Sequence, residues 1–383
     1  MSSVRPCTPG HDLVLIACVL ALLTAPLWRI DWTGTTSSKE KRALAEWPDR
    51  AAWRRLDPQL GREMENWLND RFGGRDALLD WQARLAYGIN GRILNEDTLG
   101  GRDGWLFYNK EGSVRSFQNA DLFAPAELQT IRNNLTRRAE WLDMRGIRLF
   151  LLVVPAKNRV YGEFYPTGIR KIGTIGRAEQ TVKYLRETTA LPVEFPLDDL
   201  LAAKEHHGAL LYFRQDTHWT DYGAFLGYQK LMRRIHQDLP MAIPLEKSDF
   251  QWEYRPEGGG DLTPLARVAL KKSAADVRYE TLIRSQPLPF TYLLQHPFVN
   301  HTVREGRPLK AFVLYDSFGV SMIPFLSSTF GEVKYLRRHD FNEIQDEIAA
   351  FQPDVVIHEV AERLVPDLLN DTPPLRETDS DAL

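Results

Sequence analysis

The sequence predicts an α/β fold: a three-layer domain built on a parallel sheet, preceded by an N-terminal transmembrane helix. Three observations predict it. Short apolar runs and amphipathic helical stretches alternate between residues 125 and 365, the pattern that lays helices on both faces of a sheet. Two of those runs, 147–154 and 310–315, are almost wholly apolar, as strands covered on both faces must be. Ahead of them, residues 13–28 (LVLIACVLALLTAPLW) carry no charge.

Composition sets the outer bounds. The 383 residues hold 48 Lys+Arg against 51 Asp+Glu, a net charge of -3, with 43% hydrophobic and 26% charged residues. That is globular composition, and the near-neutral charge argues against a nucleic-acid partner. Cys7 and Cys18 are the only cysteines, so the body of the chain has neither a disulfide framework nor a thiolate metal cage.

Residues 1–12 read as a cytoplasmic N-terminus and 13–30 as a transmembrane anchor. A bilayer takes about 20 apolar residues, and Arg29 would snorkel at the interface. The cleaved-signal alternative lacks a small-x-small cleavage site. Either reading exports the rest. Residues 31–94 read as a tether and a helical segment, broken at Gly73-Gly74. A domain over 95–366 follows, with 367–383 as a polar tail. Within it, helices are expected at 125–145, 178–188, 222–236 and 341–351. Strands are expected at 105–108, 147–154, 210–213, 310–315, 333–336 and 355–358. Residues 240–308, with a Gly258-Gly259-Gly260 run and many prolines, read as an irregular insertion.

Chemistry gathers at the strand ends, where α/β sheets place their sites. Strand 310–315 runs into Asp316-Ser317-Phe318-Gly319 with an apolar helix behind, which exposes a serine beside backbone amides able to hold an oxyanion. The same residues also suit a plain helix cap. After 210–213 comes Arg214-Gln215-Asp216-Thr217-His218-Trp219. Asp and His two apart on a turn lie side by side, the carboxylate orienting an imidazole that takes a serine proton. Together the two strand ends point to a Ser-His-Asp triad. No metal or cofactor is expected. His206-His207 with Asp216 and His218 matches no zinc spacing, and the 358–362 stretch HEVAE misses the zincin pattern. Nucleotide loops and the G-x-S-x-G elbow are missing from the sequence.

Six segments in this order resemble the alginate O-acetyltransferase (AlgJ and AlgX) family: GGRDGWLFYNK (100–110), VVPAKNRVYGEFYP (153–166), LYFRQDTHWTDYGA (211–224), GGDLTPLA (259–266), VLYDSFG (313–319) and VVIHEVAERL (355–364). The resemblance spans about residues 95–366. It implies an SGNH-hydrolase-like domain in which Ser317 is the nucleophile, His218 the base and Asp216 its orienter. Tyr315 departs from the glycine that ordinary SGNH enzymes carry before Asp-Ser. The family acetylates hydroxyls of a secreted polysaccharide in the periplasm, receiving acetyl groups from a membrane-bound O-acyltransferase. The resemblance thus implies an inner-membrane protein with a periplasmic catalytic domain. Lys157, Tyr161, Trp219 and Arg363 are candidate substrate contacts, with Trp105 a further stacking face and Arg159 a solvated loop residue. Glu362-Arg363 reads as an ion pair or a clamp. An acetyl-esterase using the same triad and an inert polysaccharide-binding scaffold are the competing functions.

Overall fold

The computed structural model describes residues 9–24, 30–37, 42–55, 57–90, 92–207, 209–256, 260–268, 280–284, 289–337 and 341–370. They form two compact units, Met1–Asn95 with Thr263–Ala269, and Glu96–Leu262 with Leu270–Leu383.

In the first unit, the helices Leu60–Arg71 and Arg75–Asn90 are separated at Gly73-Gly74 as expected, with Gly74 in the left-handed region that glycine adopts freely. Arg71 donates to the carbonyls of Asp31, Gly34 and Ala45, and Trp67 gathers Trp32 and Trp47 at 5.2 and 4.8 Å. The N-terminal anchor needs correcting. Its helix covers Pro9–Thr24, 16 residues, which at about 1.5 Å per residue falls short of a hydrocarbon core. Among the described residues no helix is long and apolar enough to cross a membrane. Residues 25–29 of the expected span, and most of the 367–383 tail, lie outside the described residues.

The second unit is built on one seven-stranded sheet: β1 (Arg148–Val154), β2 (Val193–Glu194), β3 (Thr291–Gln295), β4 (Val299–Val303), β5 (Lys310–Tyr315), β6 (Glu332–Arg337) and β7 (Val355–Ala361). Their order is β2-β1-β7-β5-β6-β4-β3. Alternate residues of β1 supply opposite cores. Phe150, Leu152 and Val154 join Tyr228 and Phe325 on one face; Leu149, Leu151 and Val153 join Ile131, Leu135 and Ile348 on the other. Helices Asp221–Asp238 and Ile323–Thr329 cover the first face, and Pro125–Asp143, Arg177–Thr188 and Gln345–Phe351 the second. This gives the three layers.

Two expectations change. The sheet is mixed rather than parallel, because β4 pairs antiparallel with both β6 and β3. Strands β3 and β4 lie in the stretch read as irregular. Residues 296–298 join β3 to β4 too tightly for a crossover, so the pair forms a hairpin at the sheet edge. The strand expected at 210–213 does not form; a bridge pairs Tyr212 with Trp219 and leaves Asp216 and His218 on the loop it closes.

Candidate active site

The two chemistry-bearing segments meet at the carboxyl end of the sheet. Ser317 lies on the turn after β5, followed by the 3-10 turn Gly319–Met322 and the helix Ile323–Thr329. His218 lies on the bridged loop. Trp219 Nε1 donates to the Phe318 carbonyl at 2.9 Å, and the His218 and Phe318 rings stand 4.9 Å apart. The residues flanking the serine and the histidine thus touch.

Asp216 faces His218 as the spacing predicts. Its Oδ1 accepts from His218 Nδ1 at 2.7 Å and from the His218 amide at 2.9 Å; its Oδ2 accepts from the Asp261 amide at 2.9 Å. Burial alone would raise this carboxyl. The hydrogen bond and charge of His218, with the two amides, outweigh burial and hold it well below the usual carboxylate range. An ionised Asp216 fixes the proton of His218 on Nδ1 and leaves Nε2 as the acceptor. Nε2 is buried and has no hydrogen-bond partner. The expected bond from Ser317 to this nitrogen is therefore not made in this structure, and such bonds are commonly long until substrate tightens them.

A third acid, unforeseen in sequence, completes the loop. Asp261 Oδ1 accepts from the Thr217 amide at 2.8 Å and from its hydroxyl at 3.2 Å, while Oδ2 stands 3.9 Å from His218 Nδ1. Gly260 permits this approach, since a Cβ there would fall 2.3 Å from the Asp216 Cβ and 2.5 Å from the Gln215 carbonyl. The signal was the Gly run before Asp261. Asp216, His218 and Asp261 bring ligand atoms within 4.8 Å of one another, close enough for a cation, but N–H donors point at Oδ1 of both acids and at Oδ2 of Asp216.

Most of the expected sugar contacts turn inward. The Lys157 ammonium lies buried against backbone carbonyls: Phe213 and Arg214 at 3.2 Å each, Asp216 at 2.6 Å, and Leu106. It braces the histidine loop from below, the usual fate of a buried cation that must be fully hydrogen-bonded. Tyr161 is buried, stacks on Trp105 at 4.4 Å and accepts from the Leu211 amide at 3.0 Å. Trp219 and Trp105 are fully buried. These are core residues rather than exposed stacking faces. Arg159 is half-buried, bonded to Asn119 and Glu179 and 3.6 Å from Glu362. Glu362 turns away from Arg363 and accepts from the Ala156 amide at 2.8 Å.

Arg363 keeps a place at the surface of the site. It pairs with Glu111 at 2.9 Å and lies over the Tyr108 and Phe318 rings at 5.5 and 5.3 Å. With Tyr108, Ser113, Asn158, Thr217 and Phe318 it lines a cleft of about 510 Å³, open mouth included, beside the serine and histidine loops. Tyr108, Ser113 and Asn158 carried no functional signal of their own in sequence, because only folding brings residue 158 to the wall that 108 and 113 share.

A serine after a central strand and an Asp-x-His on a neighbouring loop, both at the carboxyl end of a three-layer α/β sheet, define the SGNH-hydrolase-like class. The chain matches the family model "SGNH hydrolase-like domain, acetyltransferase AlgX" over residues 99–290, half of its length, and belongs to that family. The match takes in Lys157, Tyr161, Asp216, His218 and Trp219 and ends before Ser317 and Arg363. Curated relatives include two proteins described as probable alginate O-acetylase AlgJ. That of Pseudomonas aeruginosa is 31% identical over 159 residues, 38% of this chain and 35% of the relative. That of Pseudomonas syringae is 29% identical over 156 residues, 39% and 37%. The matched stretch therefore spans about a third of those relatives. Among solved structures, Bacillus cereus PatB1 is 15% identical with a TM-score of 0.53, covering 72% of this chain and 99% of that one, a likeness of fold.

Proposed function

We propose that this chain is an O-acetyltransferase that moves acetyl groups onto hydroxyls of a secreted, alginate-like polysaccharide through an acyl-enzyme on Ser317. The observation that carries the reading is the Asp216–His218 bond at 2.7 Å, which presents an unpartnered Nε2 beside the Ser317 turn. His218 Nε2 takes the Ser317 hydroxyl proton as Oγ bonds to the donor's acetyl carbon. The same proton passes to the donor oxygen as its bond to that carbon breaks. A sugar hydroxyl, deprotonated by Nε2, then attacks the acetyl carbon and frees Oγ, which recovers the proton. Asp216 holds the ring and stabilises the imidazolium. The Ser317 amide is the turn's donor to the oxyanion, since carboxyl oxygens take the Asp316, Phe318 and Gly319 amides.

Arg363 over Tyr108 in the adjoining cleft offers a cation and an aromatic face to an acceptor sugar, which raises its effective concentration over water. The acetyl donor is a membrane-bound O-acyltransferase, and the protein works in the periplasm at the inner membrane. The uncharged run 13–28 and the resemblance to alginate O-acetylases support this placement.

The test is incubation with an activated acetyl ester and oligosaccharide acceptors, following acetate and acetylated sugar by mass spectrometry. Acetylated sugar at the expense of acetate is expected. Acetate released at one rate with or without acceptor would make the chain an esterase, and no turnover of any ester would leave a binding scaffold.

A further inference from the structure

The turn that carries Ser317 is held by a buried acid that the triad does not use. β5 and β7 pair in parallel register as far as Leu314 opposite His358, whereas β7 stays paired with β1 to Ala361. Past Leu314 the strands part and open the crevice. Two carboxyl groups continue the ladder across the gap. Glu359 Oε2 on β7 accepts from the Asp316 amide at 3.0 Å, and the Gly319 amide also donates to this carboxyl. In return Asp316 Oδ1 accepts from the Phe318 amide at 2.8 Å and its Oδ2 from the Ala361 amide at 2.7 Å. Both acids are buried. Gly319 is packed onto this arrangement, because a Cβ there would stand 2.8 Å from Glu359 Oε2 and 2.6 Å from the Tyr315 Cβ.

Resting on the acyl-enzyme reading above, we infer that Glu359 is a positioning residue for Ser317, its carboxyl fixing the 316–319 turn by accepting the Asp316 and Gly319 amides. An apolar residue at 359 would leave two buried amides without acceptors. The turn would then shift, and a displacement of about 1 Å at a nucleophile costs about a hundredfold in rate. The proton on this acid matters too. Burial pushes the Glu359 carboxyl well above its usual range and the facing Asp316 adds to this, against the Asp316 and Gly319 amides and Arg363. The Tyr212 and Tyr315 phenols complete its ionisable surroundings. Ionised, Glu359 would set a second negative group against Asp316 in a dry site. Acylation therefore weakens as pH rises through the Glu359 titration.

The experiment follows the burst of nitrophenolate when the full-length chain is acylated by 4-nitrophenyl acetate, across pH. Glu359→Ala is expected to slow the burst by about ten- to a hundredfold without changing KM, and to speed amide exchange at residues 316–319. Glu359→Gln keeps an acceptor for both amides. It should recover the burst to within about threefold of wild type and abolish the alkaline fall. A Glu359→Ala burst equal to wild type, or an alkaline fall that survives in Glu359→Gln, overturns the inference. Should Glu359→Ala fail to melt cooperatively, the Glu359→Gln pH profile decides alone. A wild-type chain that neither releases nitrophenolate nor gains an acetyl group on Ser317 removes the acyl-enzyme reading, and this inference with it.

Discussion

The two loops that form the site are held by hydrogen bonds of opposite sense. The histidine loop offers carbonyls to its support: those of Phe213, Arg214 and Asp216 turn down onto the buried Lys157 ammonium. The serine turn offers amides instead, and those of Asp316, Phe318 and Gly319 are taken by buried carboxyl groups. A loop whose carbonyls face inward needs a cation beneath it, and one whose amides face inward needs an acceptor. In each case the backbone dipoles offset the cost of burying the polar group. Burial therefore identifies Lys157 as a brace for the base, although its residue type and its place after a strand first read as a sugar contact.

Breaking the base loop's chemistry while keeping its support should have the larger effect. Asp216→Asn leaves Lys157 and its carbonyls in place but favours the wrong imidazole tautomer. It should lower the acylation rate by about a thousandfold or more with the fold retained by circular dichroism. The same substitution bears on acid stability. Asp216 is held below its unfolded value, so its contribution is complete above about pH 4 and is lost as pH falls further. Asp216→Asn should be the less acid-sensitive protein in a pH series of melts.

Removing the support while keeping the triad sharpens the contrast. Lys157→Met strands carbonyls of the histidine loop and should cost about 1–3 kcal/mol in a denaturant titration, with acylation slowed about tenfold. Glu359→Gln, by contrast, preserves an acceptor and should cost little. Equal damage from the two would mean that charge on its own, rather than hydrogen-bond sign, holds the loops.

How much of this was legible in the sequence follows from the distance between partners. Strands β1, β5 and β7 stood out as apolar runs, and Asp216 with His218 as neighbours two residues apart, because those signals are local. The β3–β4 hairpin was hidden, since Leu293 and Leu294 are exposed and the segment shows no clean alternation toward a core. Lys157 and Glu359 were read wrongly or passed over because their partners lie 57 and 43 residues away in the chain. Only the folded sheet shows that one meets carbonyls and the other amides. Asp261 sat in plain view behind its glycines, and its role became clear only with Thr217 against it.

The serine turn and the histidine loop, held by hydrogen bonds of opposite sense, are expected to work as one nucleophilic site. Peptide mapping of the acetylated protein after brief exposure to an activated acetyl ester tests it most directly. The account predicts one acetyl group, on the peptide containing Ser317, lost in Ser317→Ala and in His218→Ala. Acetylation of Ser317 that is as fast in His218→Ala as in wild type, or a label that persists in Ser317→Ala, would contradict it.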